Sequence, residues 1–277
     1  AEEPVALATK LGAEGIAVTD RFVAQLPTAG LDLTSSLDEA GLEGVAGASG
    51  REALCSARLN APVRVVIEPV NAGEERVGHR VRTVFCLAGT IAALQGDEAV
   101  RGSLGFERET GTTTATVLGA DDLEAVGIVA AADGRQQFVF IRTTLLQRIV
   151  LQGVVRTERR ETADGIEVAW EFDHRFDALP ERAAAWTRLT ETSGGEREPG
   201  PPQPYPGGGG IVMVRQLPAS LSAGEDLLVV ESRSVIAEPV GWFSGSNLLR
   251  SKIPLTAQEG VRRLRQRLEA ARQPESR

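Results

Sequence analysis

Two histidines and two cysteines are the chain's whole supply of imidazole and thiol groups: His79, His174, Cys55 and Cys86. Zinc sites gather their ligands from pairs such as Cys-x-x-Cys or His-x-x-x-His, because those spacings bring two donors to one side of a turn or helix. No such pair occurs. The run Asp173-His174-Arg175-Phe176-Asp177 sets an imidazole between two acids, but on an extended strand Asp173 and Asp177 share a face that His174 does not. His174 therefore reads as a structural or surface residue, and no metal is expected. Cys55 and Cys86 are compatible with one disulfide in an oxidising compartment, or with two buried thiols that behave as small hydrophobes.

Acid/base chemistry would need paired carboxylates, and Glu167, Glu171 and Asp173 are the first candidates because Glu167 and Glu171 fall on one face of a strand. The neighbouring cations Arg156, Arg159 and Arg160 offer a simpler account, cross-strand ion pairing on a solvated face. A serine nucleophile elbow is absent, since the glycines of Gly241-Trp242-Phe243-Ser244-Gly245 have the wrong spacing. Phosphate-cradling loops are absent too, and the glycines Gly207 to Gly210 follow prolines, reading as a flexible joint. No residue is assigned a catalytic role, and no cofactor is called for.

The most distinctive segment runs from Glu238 to Lys252. As a binding loop it would use Trp242 and Phe243, backbone N–H groups around Ser244, Ser246 and Asn247, and the cations Arg250 and Lys252 to hold a carboxylate or phosphate. In the competing reading Trp242 and Phe243 plug the core while the small residues turn the chain.

These residues must be positioned by elements whose periodicity is legible. Val63 to Glu68 and Arg80 to Phe85 alternate as strands around a turn at Asn71 to Glu75. Phe138 to Leu146, Arg148 to Thr162 and Ile166 to Phe172 predict a long hairpin with Ile166, Val168, Trp170 and Phe172 on its buried face. Asp164-Gly165 there suits a type I′ turn. Further strands are expected over 111–118, 211–216 and 226–237, and short helices over 38–45, 49–59, 90–100 and 121–126, with Ser49 as a cap. Thr256 and Glu259 form a capping-box pair opening a helix to Arg272. Along it Ala257, Val261, Leu264, Leu268 and Ala271 make an apolar stripe, with the arginines left in water.

The expected fold is α+β: a mostly antiparallel twisted sheet with a long hairpin, flanking helices and a basic amphipathic C-terminal helix. Residues 1–61 read as a loosely ordered, loop- and helix-rich N-terminal arm. Residues 62–277 read as a β-rich domain with a Pro/Gly-rich loop at 193–210.

Net charge is −8 over 277 residues, which argues against a general nucleic-acid binder. The eight cations and three glutamates from Arg250 onward give that segment +5, leaving −13 for residues 1–249. The basic helix could touch an acidic protein partner or an anionic membrane surface, but its Ala, Val and Leu stripe suits packing on its own body better. No apolar run approaches the roughly 18 residues of a membrane-spanning helix. The start Ala-Glu-Glu-Pro resembles a chain left after signal-peptide removal, so a periplasmic or extracellular location is expected. The leading expectation is a soluble, exported, non-catalytic binding or assembly module. A carboxylate-based hydrolase or carbohydrate-active enzyme, and a carrier of apolar ligands, are the alternatives.

Overall fold

A computed structural model describes residues 6–33, 37–47, 50–56, 58–96, 109–110, 113–129, 134–191, 196–222, 224–243 and 247–272. Strand-period alternation along the chain yields the expected α+β architecture, with twelve strands of the described residues in one antiparallel sheet. They are β3 (Arg64–Ala72), β4 (Glu75–Ala88), β5 (Glu109–Thr110), β6 (Thr113–Val117), β7 (Gln136–Leu145), β8 (Ile149–Glu161), β9 (Gly165–Phe172), β10 (Ala185–Glu191), β11 (Arg197–Pro199), β12 (Gln203–Pro204), β13 (Gly208–Gln216) and β14 (Leu227–Ala237). The spatial order β3-β4-β14-β13-β9-β8-β7-β6-β5 places β4 beside β14, paired from Gly78–Ala237 to Ala88–Leu227. At β8 the sheet forks. β7 follows one edge, while β9 takes Val155–Glu161 and β10 takes Ile149–Gln152 on the other.

The long hairpin of β8 and β9 forms, but its turn is not type I′. Neither Asp164 nor Gly165 has positive φ, and the Thr162 N–H donates to the Gly165 carbonyl at 2.9 Å. Glycine is needed at 165 for space: a Cβ there would lie 2.7 Å from Leu33 and 2.8 Å from Arg215. The I′ signature of two positive φ values appears between β7 and β8, at Leu146 (50°) and Gln147 (56°). The Arg197 guanidinium donates to the Gln147 carbonyl at 2.8 Å and to its side-chain oxygen at 2.9 Å, holding a turn that carries no glycine or asparagine.

Both faces of the sheet are covered. One lies under the N-terminal segment: α1 (Leu7–Glu14), the ribbon β1 (Ile16–Ala17) and β2 (Val23–Ala24), α2 (Glu39–Ala46) and α3 (Arg51–Leu54). The Asp38 carboxylate caps α2 by accepting from the Gly41 N–H at 2.7 Å. Leu7, Leu11, Ile16 and Ala24 pack with Ala169, Ile211 and Val235, and Leu31, Leu42, Val45 and Leu54 with Val84, Met213 and Val229. Polar contacts fasten the arm between these clusters. Arg80 donates to the Gln25 carbonyl at 2.8 Å, Arg233 to that of Pro27 at 3.2 Å and Arg64 to that of Val45 at 2.9 Å. The β9 face that bears Glu167 and Glu171 is thus not the solvated face that alternation suggests, and Glu167 is buried.

The opposite face meets α4 (Ile91–Gly96) and the C-terminal helix, α6 (Leu248–Arg272); α5 (Ala120–Glu124) packs through Leu123 with Phe138, Val154 and Phe176. The last helix starts eight residues before the expected Thr256. Thr256 is no cap: its hydroxyl donates to the Lys252 carbonyl at 3.2 Å, one turn back. Val261 and Leu264 pack as expected, but Arg265 does not stay in water. Its guanidinium is buried and donates to the carbonyls of Cys86 (2.9 and 3.1 Å), Ala61 (2.6 Å) and Leu59 (3.3 Å). Burial lowers its pKa, and the wealth of acceptors explains how the charge is tolerated.

The glycines Gly208 to Gly210 also depart from expectation, opening the central strand β13 instead of a flexible joint. A Cβ on Gly210 would meet the Arg233 carbonyl oxygen at 2.4 Å and Trp170 Nε1 at 3.0 Å. The missing side chain lets two neighbouring strands and the indole close in. Ser49, the proposed cap, and residues 97–100 of the expected fourth helix lie outside the described residues.

Candidate functional site

Two of the three first suspects for acid/base chemistry, Glu171 and Asp173, line a cleft of about 470 Å³ where α1 and β1 cross the ends of β8 and β9. Lys10, Arg156, Glu171, Asp173, His174 and Arg175 line it, with the backbone of Gly207 and Gly208. Glu171 lies between two cations, Lys10 Nζ at 3.2 Å and Arg156 Nη2 at 3.5 Å. Asp173 accepts from Arg175 Nη2 at 2.5 Å, Nε at 2.9 Å and the Arg175 backbone N–H at 3.1 Å. Burial by itself would raise the Asp173 carboxyl, but these hydrogen bonds, with the charges of Arg175 and Arg156, outweigh it and hold the group below the usual carboxylate range. An acid so stabilised as its anion is a poor proton donor.

Glu167 does not reach this cleft, and it carries the opposite perturbation. Burial raises its pKa, countered only in part by Arg160, whose Nη1 lies 3.2 Å away. The expected cross-strand pairing of Arg160 with Glu167 and of Arg156 with Glu171 is present, whereas Arg159 pairs along its own strand with Glu161. His174 is not on a strand. Residues His174–Ala178 form a 3₁₀ helix whose three-residue period brings its Nδ1 within 2.8 Å of Asp177, a contact the extended reading excluded. Its Nε2 lies 2.9 Å from the Pro206 carbonyl oxygen. Among the described residues no cluster of three or more His, Cys, Asp and Glu side chains is arranged to hold a metal.

The distinctive segment before α6 is divided by the fold. Trp242 and Phe243 are 2% and 4% exposed, so neither presents its ring to a ligand at the surface. Trp242 stacks on Tyr205 with centroids 5.6 Å apart and meets Trp186 and Phe243 edge to face. Asn247 accepts from Arg76 Nη1 at 2.9 Å. Arg250 and Lys252 sit exposed in the first turns of α6, not in a loop. Ser244 and Ser246 lie outside the described residues. The first residue of this segment belongs to a buried pair that sequence reasoning did not connect: His79 Nε2 lies 2.7 Å from Glu238, which also accepts from Arg76 at 2.9 and 3.1 Å. Burial would raise the Glu238 carboxyl, but the hydrogen bonds from His79 and Arg76 hold it low.

The helix-bearing face of the sheet has a second feature. Two apolar clusters occupy its ends: Tyr205, Trp242, Phe243 and Leu249 with Phe172 at one, and Val261, Leu264, Ile91 and Leu94 with Phe85 and Val214 at the other. Between them lies a band on six neighbouring strands that steps between two register rows: pairing aligns Thr83, Ser232 and Val212 in one, while Ile67, Trp170 and Thr157 lie in the next, Ile67 opposite Val81 and Trp170 opposite both Gly210 and Thr157. All but Thr83 are only half-buried, though they lie on the same face as the two cores. Alternation assigned Trp170 to this face, but the band itself crosses strands distant in sequence and had no linear signal.

No protein-family model matches the chain, and no curated protein matches it. Several solved structures resemble it loosely, among them the following two. The lipid transfer and protein localization domain of human StarD13 (DLC2) has a TM-score of 0.40 at 9% identity, over 72% of this chain and 81% of that one. A putative uncharacterized protein from Rhizobium leguminosarum has a TM-score of 0.32 at 8% identity, over 74% of this chain and 99% of that one. Likeness at this level carries no argument about function.

Proposed function

We propose that this chain is a ligand-binding module that holds a largely apolar, amphipathic molecule against the sheet face beneath α6. The observation that carries this reading is the band of half-buried side chains (Ile67, Ser232, Val212, Trp170 and Thr157) lying between two buried clusters on the same face. Protein interiors are close-packed, so apolar groups such as Val212 and Trp170 left short of burial between two cores mark room for an added occupant. The hydroxyls of Thr83, Ser232 and Thr157 belong to the same band and suit a ligand with a polar group of its own. The carboxylate-hydrolase alternative gains no comparable support, because Glu171 and Asp173 are already neutralised by Lys10, Arg156 and Arg175.

Fluorescence titration with a series of labelled fatty acids tests this reading, using Val212→Trp to fill the band. Saturable binding by the parent chain, weakened at least tenfold in V212W with an unchanged melting temperature, is the expected result. Equal binding by both chains, or no binding by the parent across the series, would overturn it.

A further inference from the structure

Cys55 follows α3 on the arm and Cys86 lies near the end of β4, yet the two side chains come together in one apolar cluster. Both belong to the apolar cluster formed by α2, α3 and the sheet, with Cys86 buried at its base and Cys55 half-buried above it. The approach is held from outside the pair. β3 begins at Arg64 opposite Val84, so the Cys86 carbonyl extends past the end of that pairing and is taken by Arg265. The same guanidinium binds the Leu59 and Ala61 carbonyls, on the segment that follows Cys55. One buried cation thus ties together the two chain segments that carry the thiols.

We propose that Cys55 and Cys86 are a redox pair that closes to a disulfide on exchange with a small-molecule disulfide, clipping the arm to β4. The two side chains already share one cluster in the reduced protein, and Arg265 holds together the segments that carry them, so closure joins groups that are neighbours in the fold. The order of events follows from their surroundings. The hydrogen bond with Cys55 and burial push the Cys86 thiol far up, while the Arg265 charge opposes this. Cys55, partly exposed, is therefore the first nucleophile: its thiolate attacks the small disulfide, and one small thiol leaves with a proton. Cys86 then gives up its proton and attacks the Cys55 sulfur, expelling the second small thiol. The protein loses two protons and two electrons, and the oxidant gains them as two thiols. This inference is independent of the ligand reading.

The test is intact-mass analysis after alkylation, with a melting curve, on the full chain incubated with reduced or oxidised glutathione. The expected outcome with oxidised glutathione is a chain two hydrogens lighter that takes up no alkylating agent and melts higher by roughly 10 °C, because a loop of about 30 residues is closed. Cys86→Ala should stop at the glutathione adduct on Cys55, and Cys55→Ser should remain unmodified. A parent chain that keeps two alkylatable thiols, stops at an adduct, or melts lower after oxidation would overturn the proposal. Should C86A fail to fold, the parent chain's mass decides alone.

Discussion

Buried charge in this protein is arranged one side chain at a time, and each arrangement has its own energetic sign. Glu231 is fully buried on β14, yet it accepts from the Gly30 and Leu31 backbone N–H groups at 2.8–3.1 Å and from Arg82 at 2.6 Å. Such a carboxylate fastens the arm because removing it would strand two N–H donors and a guanidinium. Glu167 and Asp173, on and just after β9, are perturbed in opposite directions, which allows a test by pH. The folded pKa of Glu167 is raised by burial, so its contribution is full below the ordinary carboxylate pKa and is lost as pH rises through the folded value. The folded pKa of Asp173 is depressed by Arg175, so its contribution is present at neutral pH and is lost as pH falls through that lower value. In denaturant titrations at several pH values, Glu167→Gln should gain on the parent as pH rises through the carboxylate range. Asp173→Asn should be least stable relative to the parent at neutral pH and recover as pH falls. Parallel profiles for the two variants would contradict this assignment.

Among the elements, β13 shows how far local composition can mislead. A proline-rich approach followed by glycines argues for a joint, because neither residue type stabilises a strand. The backbone nevertheless pairs on both sides, Gly209 with Glu171 and Val235, Gly210 with Trp170 and Ser234. Glycine is used there for close approach, and substitution separates that role from flexibility. Gly210→Ala should cost about 1–3 kcal/mol, since the clash is with a backbone carbonyl that cannot move aside. Gly12→Ala, in α1 with no atom within 4 Å of the new Cβ, should instead stabilise by about 0.5–1 kcal/mol. Chemical denaturation reads both, and a stabilised G210A would show that the strand is looser than its packing indicates.

For the molecule as a whole, the apolar clusters decide how it unfolds. Two of them are built jointly by the arm and the sheet, and a third joins α6 and α4 to strands β4, β9, β13 and β14. The arm therefore belongs to the same cooperative unit as the strands it covers. Calorimetry should show one transition, coincident with loss of the tryptophan signal, with equal calorimetric and van't Hoff enthalpies. A separate low-temperature transition would mean that residues 6–54 detach on their own.

By itself the sequence determined most of the long strands but not β10, and with them the β8–β9 hairpin, the antiparallel α+β class and the apolar stripe of the last helix. These depend on side-chain period, a property of neighbours along the chain. It also narrowed Trp242 and Phe243 to two readings, and the fold placed both in the core. Only the tertiary structure decided that the acidic face of β9 is covered, that Arg265 is buried, that Gly210 makes room for Trp170, and that Cys55 and Cys86 share one cluster. Each of these involves a partner tens to hundreds of residues away. Local pattern can say that a side chain is charged or small, but its environment is set by whichever distant segment folds over it.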